Sequence, residues 1–239
     1  MTNRIKTTLI VMLFSGTVTE VRAQKLATEH LTEISKSRAF FDEEIMHLEF
    51  DYKVYTQLDN RLIDTKTGVL DKTGEEYYYA IGTISIIQNS KWLVYLDTED
   101  QIMAVREKEV RKTENLIGFD LAMTAFTSIT KTENEDTYIY SMIPKGSIQN
   151  MYTKIDYHLK KSNLEPAKLV FHYAEGIYTD NETGSEQIEK VRMEISYYNA
   201  KAKHNRSFDT KQFFSVDGKS LKTTQEYQDY EIVDQRLAL

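Results

Sequence analysis

Cysteine is missing from this chain, and proline nearly so, with only Pro144 and Pro166 among 239 residues. The first absence excludes a disulfide scaffold, a thiol nucleophile and a lipid anchor on an N-terminal cysteine. The second removes the usual interruption of β-strands and leaves room for long ladders. Glycine is sparse too, at nine residues, and forms neither a Gly-x-Ser-x-Gly elbow nor a phosphate-cradling loop. Basic residues are outnumbered, 30 against 37, for a formal charge of −7. With no basic cluster to neutralise phosphates, the chain has no nucleic-acid partner in prospect and is unsuited to anionic lipid surfaces.

Residues 1–23 carry a different message. Arg4 and Lys6 precede an apolar run from Leu9 to Phe14 that thins out through Val18, and Val21-Arg22-Ala23 follows. This is the pattern of a cleavable secretory signal, cut near Ala23-Gln24. The run falls short of the ~20 apolar residues that cross a bilayer, and no later stretch is longer, so stable membrane insertion of the mature chain is not expected. The remaining 216 residues suit a single domain and carry a formal charge of −9, because the leader removes three basic residues and one acidic residue. The expected compartment is the periplasm.

Sixteen tyrosines and long alternating stretches point to a β-rich fold. Residues 26–46 read as a helix, with Ala27, Leu31, Ile34, Phe41 and Ile45 on one stripe. The period then becomes two: Leu48, Phe50, Tyr52 and Val54 alternate with His47, Glu49, Asp51 and Lys53. Strands are expected at 62–70, 75–87, 91–96 and 101–107, between turns such as Asp71-Lys72-Thr73-Gly74 and Asp97-Thr98-Glu99-Asp100. A second helix is expected over 113–130, capped by Thr113, with Phe119, Met123, Phe126 and Ile129 on one face. Strands resume at 137–143, 150–160, 167–175, 187–199 and 210–216, with a hairpin loop at 179–185. The segment 220–239 is a polar tail whose only strand is expected around 226–233. The fold class is α+β, mainly antiparallel β: a strongly curved, incomplete barrel covered on its concave side by two helices, with an apolar cavity between the layers.

The stretch from Phe41 to Val105 resembles the periplasmic lipoprotein-carrier superfamily, the LolA/LolB-like proteins. The residues that carry the likeness are Gly68-Val69-Leu70, Glu76-Tyr77-Tyr78-Tyr79, the run from Asn89 to Asp97 around Trp92, and Gln101 to Val105. The resemblance implies a half-barrel with an apolar-ligand cavity. The Arg-Pro step that the family carries after the first glycine strand reads Asp71-Lys72-Thr73 here. Since that arginine is tied to holding and releasing cargo, the resemblance implies the fold and the cavity rather than the full carrier cycle.

Catalytic chemistry finds little purchase. Ser185 sits in a polar hairpin. His30, His47, His158, His172 and His204 are scattered, without the i, i+4 spacing of a helical metal site. The acidic stretches Asp97–Asp100 and Asp180–Glu182 lack the glycine and twelfth-position glutamate of a calcium loop, and Glu43, Glu44 and Asp51 form no evident carboxylate pair. No catalytic residue, metal or cofactor is expected. What remains is apolar surface, with Phe50, Tyr52, Tyr79 and Ile81 in the first strands and Trp92, Val94 and Met103 in the next two. Phe119, Met123 and Phe126 come from the second helix, and Ile155, Tyr157 and Phe171 from the second meander. Together they are the expected wall of a cavity for a lipid, an acyl chain or a lipidated segment, with the 113–130 helix as its lid. The alternative is a non-catalytic module of an envelope assembly, docking on a protein partner through a sheet edge or the 220–239 tail.

Overall fold

The computed structural model describes residues 30–109, 126–146, 151–174, 176–179, 186–201 and 204–236. The expected leader at 1–23 and most of the expected second helix lie outside them.

The first half is a run of short-linked strands: β1 (Ile45–Thr56), β2 (Leu62–Thr73), β3 (Glu76–Ile81), β4 (Ile84–Gln88), β5 (Trp92–Asp97) and β6 (Ile102–Glu107). The second half contains β7 (Phe126–Glu133), β8 (Thr137–Pro144), β9 (Tyr152–Lys160), β10 (Pro166–Tyr173), β11 (Gly176–Thr179), β12 (Glu186–Glu189) and β13 (Val191–Lys201). The C-terminal part adds β14 (Phe214–Asp217), β15 (Ser220–Thr223) and β16 (Glu231–Asp234). Twelve strands form one open sheet in the order β16-β6-β5-β4-β3-β2-β1-β13-β10-β9-β8-β7. β11–β12 and β14–β15 are separate hairpins. Within the large sheet the β16–β6 pair is parallel and the other described pairs are antiparallel.

The sheet has an apolar face on each side, in different places. On the inner face, β1 contributes Met46, Leu48 and Phe50, β13 Ile195 and Tyr197, and β9 Ile155, Tyr157 and Leu159, all in one buried cluster. Each such side chain contributes about 1.5–3 kcal/mol by leaving water. Residues 30–38 are helical and lie on this face. Ile34 is fully buried there, Ser37 Oγ lies 3.0 Å from the Tyr157 hydroxyl, and Glu33 takes Lys131 Nζ at 2.8 Å and the Tyr140 hydroxyl. Burial would raise the Glu33 carboxyl, but the bonds from Lys131 and Tyr140 hold it below its usual range. On the outer face a second cluster joins Ile87, Val94, Leu96, Met103 and Val105 to Phe208, Phe213 and Phe214. The C-terminal chain is therefore a cover for the outer side of β3 to β6.

Three local expectations are corrected. The first helix does not run to 46: after residue 38 it tightens into a 3-10 turn, Ala39–Asp42, and Ile45 opens β1 with its side chain 43% exposed. Glu43 and Glu44 would have stood at the negative end of a longer helix, and Ile45 instead joins a ladder with β2 beginning at Ile45↔Thr73. The stretch 75–87 is two strands, because Gly82, at φ +56°, turns the chain between Ile81 and its partner Ile84. Phe126 and Ile129 lie on β7, so the expected lid helix does not extend to 130. Their three-residue spacing reads as helical, but a bulge between Phe126 and Ser128 puts both on the same side of a strand.

Candidate functional site

The inner face continues past the main core onto β4, β5, β6 and β16. Register there is fixed by short turns, so Ile86, Tyr95, Ala104 and Val233 stand in one row across four strands. Leu93 and Arg106 form the neighbouring row, and Ile102 opens the row on the other side, paired with Asp97 and Glu231. Gln235 follows β16 and its backbone N–H donates to Val105 O at 2.9 Å, which sets it beside Arg106. These residues line a pocket of about 340 Å³, within the range of ligand sites. Its floor is aliphatic apart from Tyr95, and Ala104 supplies the room. Arg106 pairs with Glu109 at 2.7 Å, and the Glu109 N–H donates to Gln88 Oε1 at 3.1 Å.

Tyrosines dominate the inner face between this pocket and the helix. Phe50 and Tyr79 stack with ring centroids 5.8 Å apart. Burial, aided by Tyr52, pushes the Tyr79 hydroxyl up to about 12. Burial likewise holds the Tyr197 hydroxyl well above its ordinary range, and that oxygen has no hydrogen-bond partner among the described residues. These groups stay protonated at any physiological pH and act as donors or apolar surface, not as bases.

Two further polar clusters, around Asp156 and Asp71, lie on the outer face. Asp156 accepts from Ser141 at 2.5 Å and lies 2.8 Å from both His172 Nε2 and Lys154 Nζ. Burial raises its carboxyl, and the three partners together bring it well below the usual range. Because the serine donates to the carboxylate rather than to the histidine, this trio is not a nucleophile relay. His47 Nδ1 lies 2.7 Å from Asp71, which also takes Arg206 at 2.5 Å. His158 is half-buried on the same side, and burial lowers its pKa. Asp97 caps its own turn, accepting from the N–H of Glu99 at 3.0 Å and of Asp100 at 3.3 Å. Among the described residues no group of three or more acids and histidines is arranged to hold a metal, and no helix is long and apolar enough to cross a membrane.

The residues expected to line one cavity divide into three sets. Phe50, Tyr52, Tyr79, Ile81, Phe126, Ile155, Tyr157 and Phe171 share the inner-face cluster. Trp92, Val94 and Met103 do not join them; they pack on the outer face under the C-terminal cover. Phe119 and Met123 lie outside the described residues. The pocket's own wall, Leu93, Tyr95, Ile102, Ala104 and Arg106, was missed by a parity error of one residue. The signal was Gly82: a two-residue turn there forces Ile84, Ile86 and their partners onto the face of Ile81.

No protein-family model matches this sequence, and no curated protein does. Several solved structures do match, and members of the LolA superfamily are among them. One is a LolA superfamily protein from Nitrosomonas europaea, at 12% identity and a TM-score of 0.34, covering 74% of this chain and 94% of its own. Another is described as an outer membrane lipoprotein-sorting protein domain from Vibrio parahaemolyticus, at 9% identity and 0.38, covering 77% and 98%. A third is a chain of the MucA/MucB complex from Pseudomonas aeruginosa, at 10% identity and 0.34, covering 83% of this chain and 63% of its own. At such identities the likeness concerns the fold alone.

Proposed function

We propose that this chain is an exported, non-catalytic binding protein of the periplasm that holds a lipid, an acyl chain or a lipidated segment against the inner face of its sheet. The observation that carries the reading is the 340 Å³ pocket, whose floor of Ile86, Leu93, Ile102, Ala104 and Val233 offers contact to hydrocarbon but little hydrogen bonding. Burial of ligand surface there contributes about 25 cal/mol per Å². The composition of the face supports it further, since its buried tyrosine hydroxyls are held protonated and the Asp156–His172 and His47–Asp71 pairs are directed to the other side.

The test is native mass spectrometry of the mature chain, Gln24 to Leu239, with organic extraction in parallel. A bound species of lipid character is the expected result, and bare protein from its natural compartment would sink the reading. Replacing Ala104 with tryptophan fills the pocket, meeting Leu93 and Ile86 at the margin of the inner-face core and leaving the outer cluster alone. Extracted lipid should then fall about tenfold or more while the thermal midpoint stays within a few degrees.

The alternative, docking on an envelope protein, has a specific observation in its favour. β7 has no strand paired along its outer edge among the described residues, and such an edge accepts an added strand. The tail does not serve in the expected way: Glu231–Asp234 pairs with β6 of its own sheet, because that ladder and the Ile232 contact satisfy it internally. Capture of a protein in place of lipid would favour this second reading.

A further inference from the structure

The pocket is not uniform along its length. Across the strands it is a band of aliphatic side chains, but along them its ends differ in charge. Arg106 and Gln235 stand together at one end; Asp97 and Glu231 flank Ile102 at the other. A neutral hydrocarbon has no use for that gradient. An amphiphile with a negative head does, since its head is attracted to one end and repelled from the other.

Arg106 is equipped for the role. Its side chain is 32% exposed, its stem lies along the pocket and its guanidinium carries five donors in a planar fork that matches carboxylate and phosphate oxygens. Glu109 engages Nη1 and is the one ion-pair partner that Arg106 has among the described residues. Gln235 lines the same end of the pocket, and its side-chain amide offers a neutral donor. Asp97 accepts the turn N–H groups of Glu99 and Asp100 through Oδ1 alone and keeps its negative charge, so its end of the pocket repels an anionic head.

We propose that the pocket selects single-chain amphiphiles with an oxyanion head, a carboxylate or a phosphate, bound by Arg106 and Gln235, with the alkyl chain across Leu93, Ala104 and Ile86. This assignment rests on the apolar-ligand reading above and names the chemical class of its occupant. Glu109 is then the group that the incoming head displaces or shares, and it weakens the site for anions.

Calorimetric titration of the mature chain with four probes tests it: dodecanoate, dodecyl phosphate, dodecanol and inorganic phosphate. Both anionic amphiphiles should bind about tenfold tighter than dodecanol, in line with a partly exposed charge-assisted pair. Inorganic phosphate should not bind measurably. Arg106→Gln should abolish the preference and leave dodecanol unchanged. Glu109→Gln keeps the arginine and removes its competitor, so it should tighten both anions a few-fold; this variant decides the matter if Arg106→Gln does not fold. Equal affinity for the three amphiphiles, or a preference unmoved by both substitutions, overturns the head assignment and leaves the apolar reading standing. Inorganic phosphate binding as tightly as dodecyl phosphate overturns it in favour of a plain anion site. Failure of all three amphiphiles to bind overturns the apolar reading as well.

Discussion

A valine at position 68 should destabilise the protein by about 3 kcal/mol, lowering the thermal midpoint by roughly 6–12 °C. Gly68 lies opposite Phe50 in the β1–β2 ladder, and the Phe50 ring occupies the space above it. A Cβ added at Gly68 would stand 2.2 Å from Phe50 Cζ and 2.8 Å from the backbone oxygen of Ala80. The ring could swing away only by leaving its stack on Tyr79 in the best-buried part of the inner face, and the Ala80 oxygen belongs to the neighbouring strand and cannot move far. Denaturant melts of Gly68→Val, Phe50→Ala and the double variant check the argument. The ring clash predicts that the double variant is less destabilised than the sum of the two. Strict additivity, or a loss under 1 kcal/mol for Gly68→Val, would refute it.

Asparagine in place of Asp156 should weaken the fold by about 3 kcal/mol at neutral pH, the usual result of breaking a buried charge network from one side. Asp156 is 8% exposed and takes bonds from Ser141, His172 and Lys154, drawn from three adjacent strands. Its carboxyl is depressed in the folded state, so the unfolded chain binds the proton first as pH falls. The stabilisation is therefore complete above the ordinary value of 3.8 and is lost progressively as pH drops below it toward the folded value. Stability curves of the parent and Asp156→Asn should accordingly stay apart from pH 7 to about 5 and converge on the acid side. A separation that is constant down to strong acid would show that the carboxylate's charge contributes nothing.

How much of this was legible beforehand depends on what each segment's neighbours do to it. Leu48, Phe50, Tyr52 and Val54 alternate cleanly with charged residues, and β1 lies where that alternation places it, because one face meets the core and the other meets water. Trp92, Val94 and Met103 also alternate cleanly, but the sequence offers no sign that both faces of β5 and β6 are covered. With Leu93 and Val94 both buried, hydrophobicity alone cannot say which face holds a site. That information resides in the C-terminal chain, whose Phe208, Phe213 and Phe214 reach the outer face from more than a hundred residues away. Phe126 and Ile129 misled for a local reason, since a bulge lends a strand the spacing of a helix. A strand was anticipated near Glu231–Asp234, yet its parallel partner was not, for no turn links them and no register can be counted.

The order of strands has a kinetic consequence. β1 to β6 form one meander and β7 to β10 another, each assembled from neighbouring hairpins. The two are stitched at the β1–β13 pairing, where Phe50 meets Tyr197 and Tyr52 meets Ile195. Hairpins close fast, whereas this stitch must first overcome the loop-closure entropy of the long chain between its strands. We expect it to set the folding rate, so Ile195→Val should slow refolding measured by stopped flow and leave unfolding nearly unchanged. If the variant instead speeds unfolding alone, the stitch closes after the barrier. Should the expectation hold, a chain with no cysteine to lock it would pass time as two separate half-sheets with exposed edges, the interval in which it is most open to aggregation and to the factors that prevent it.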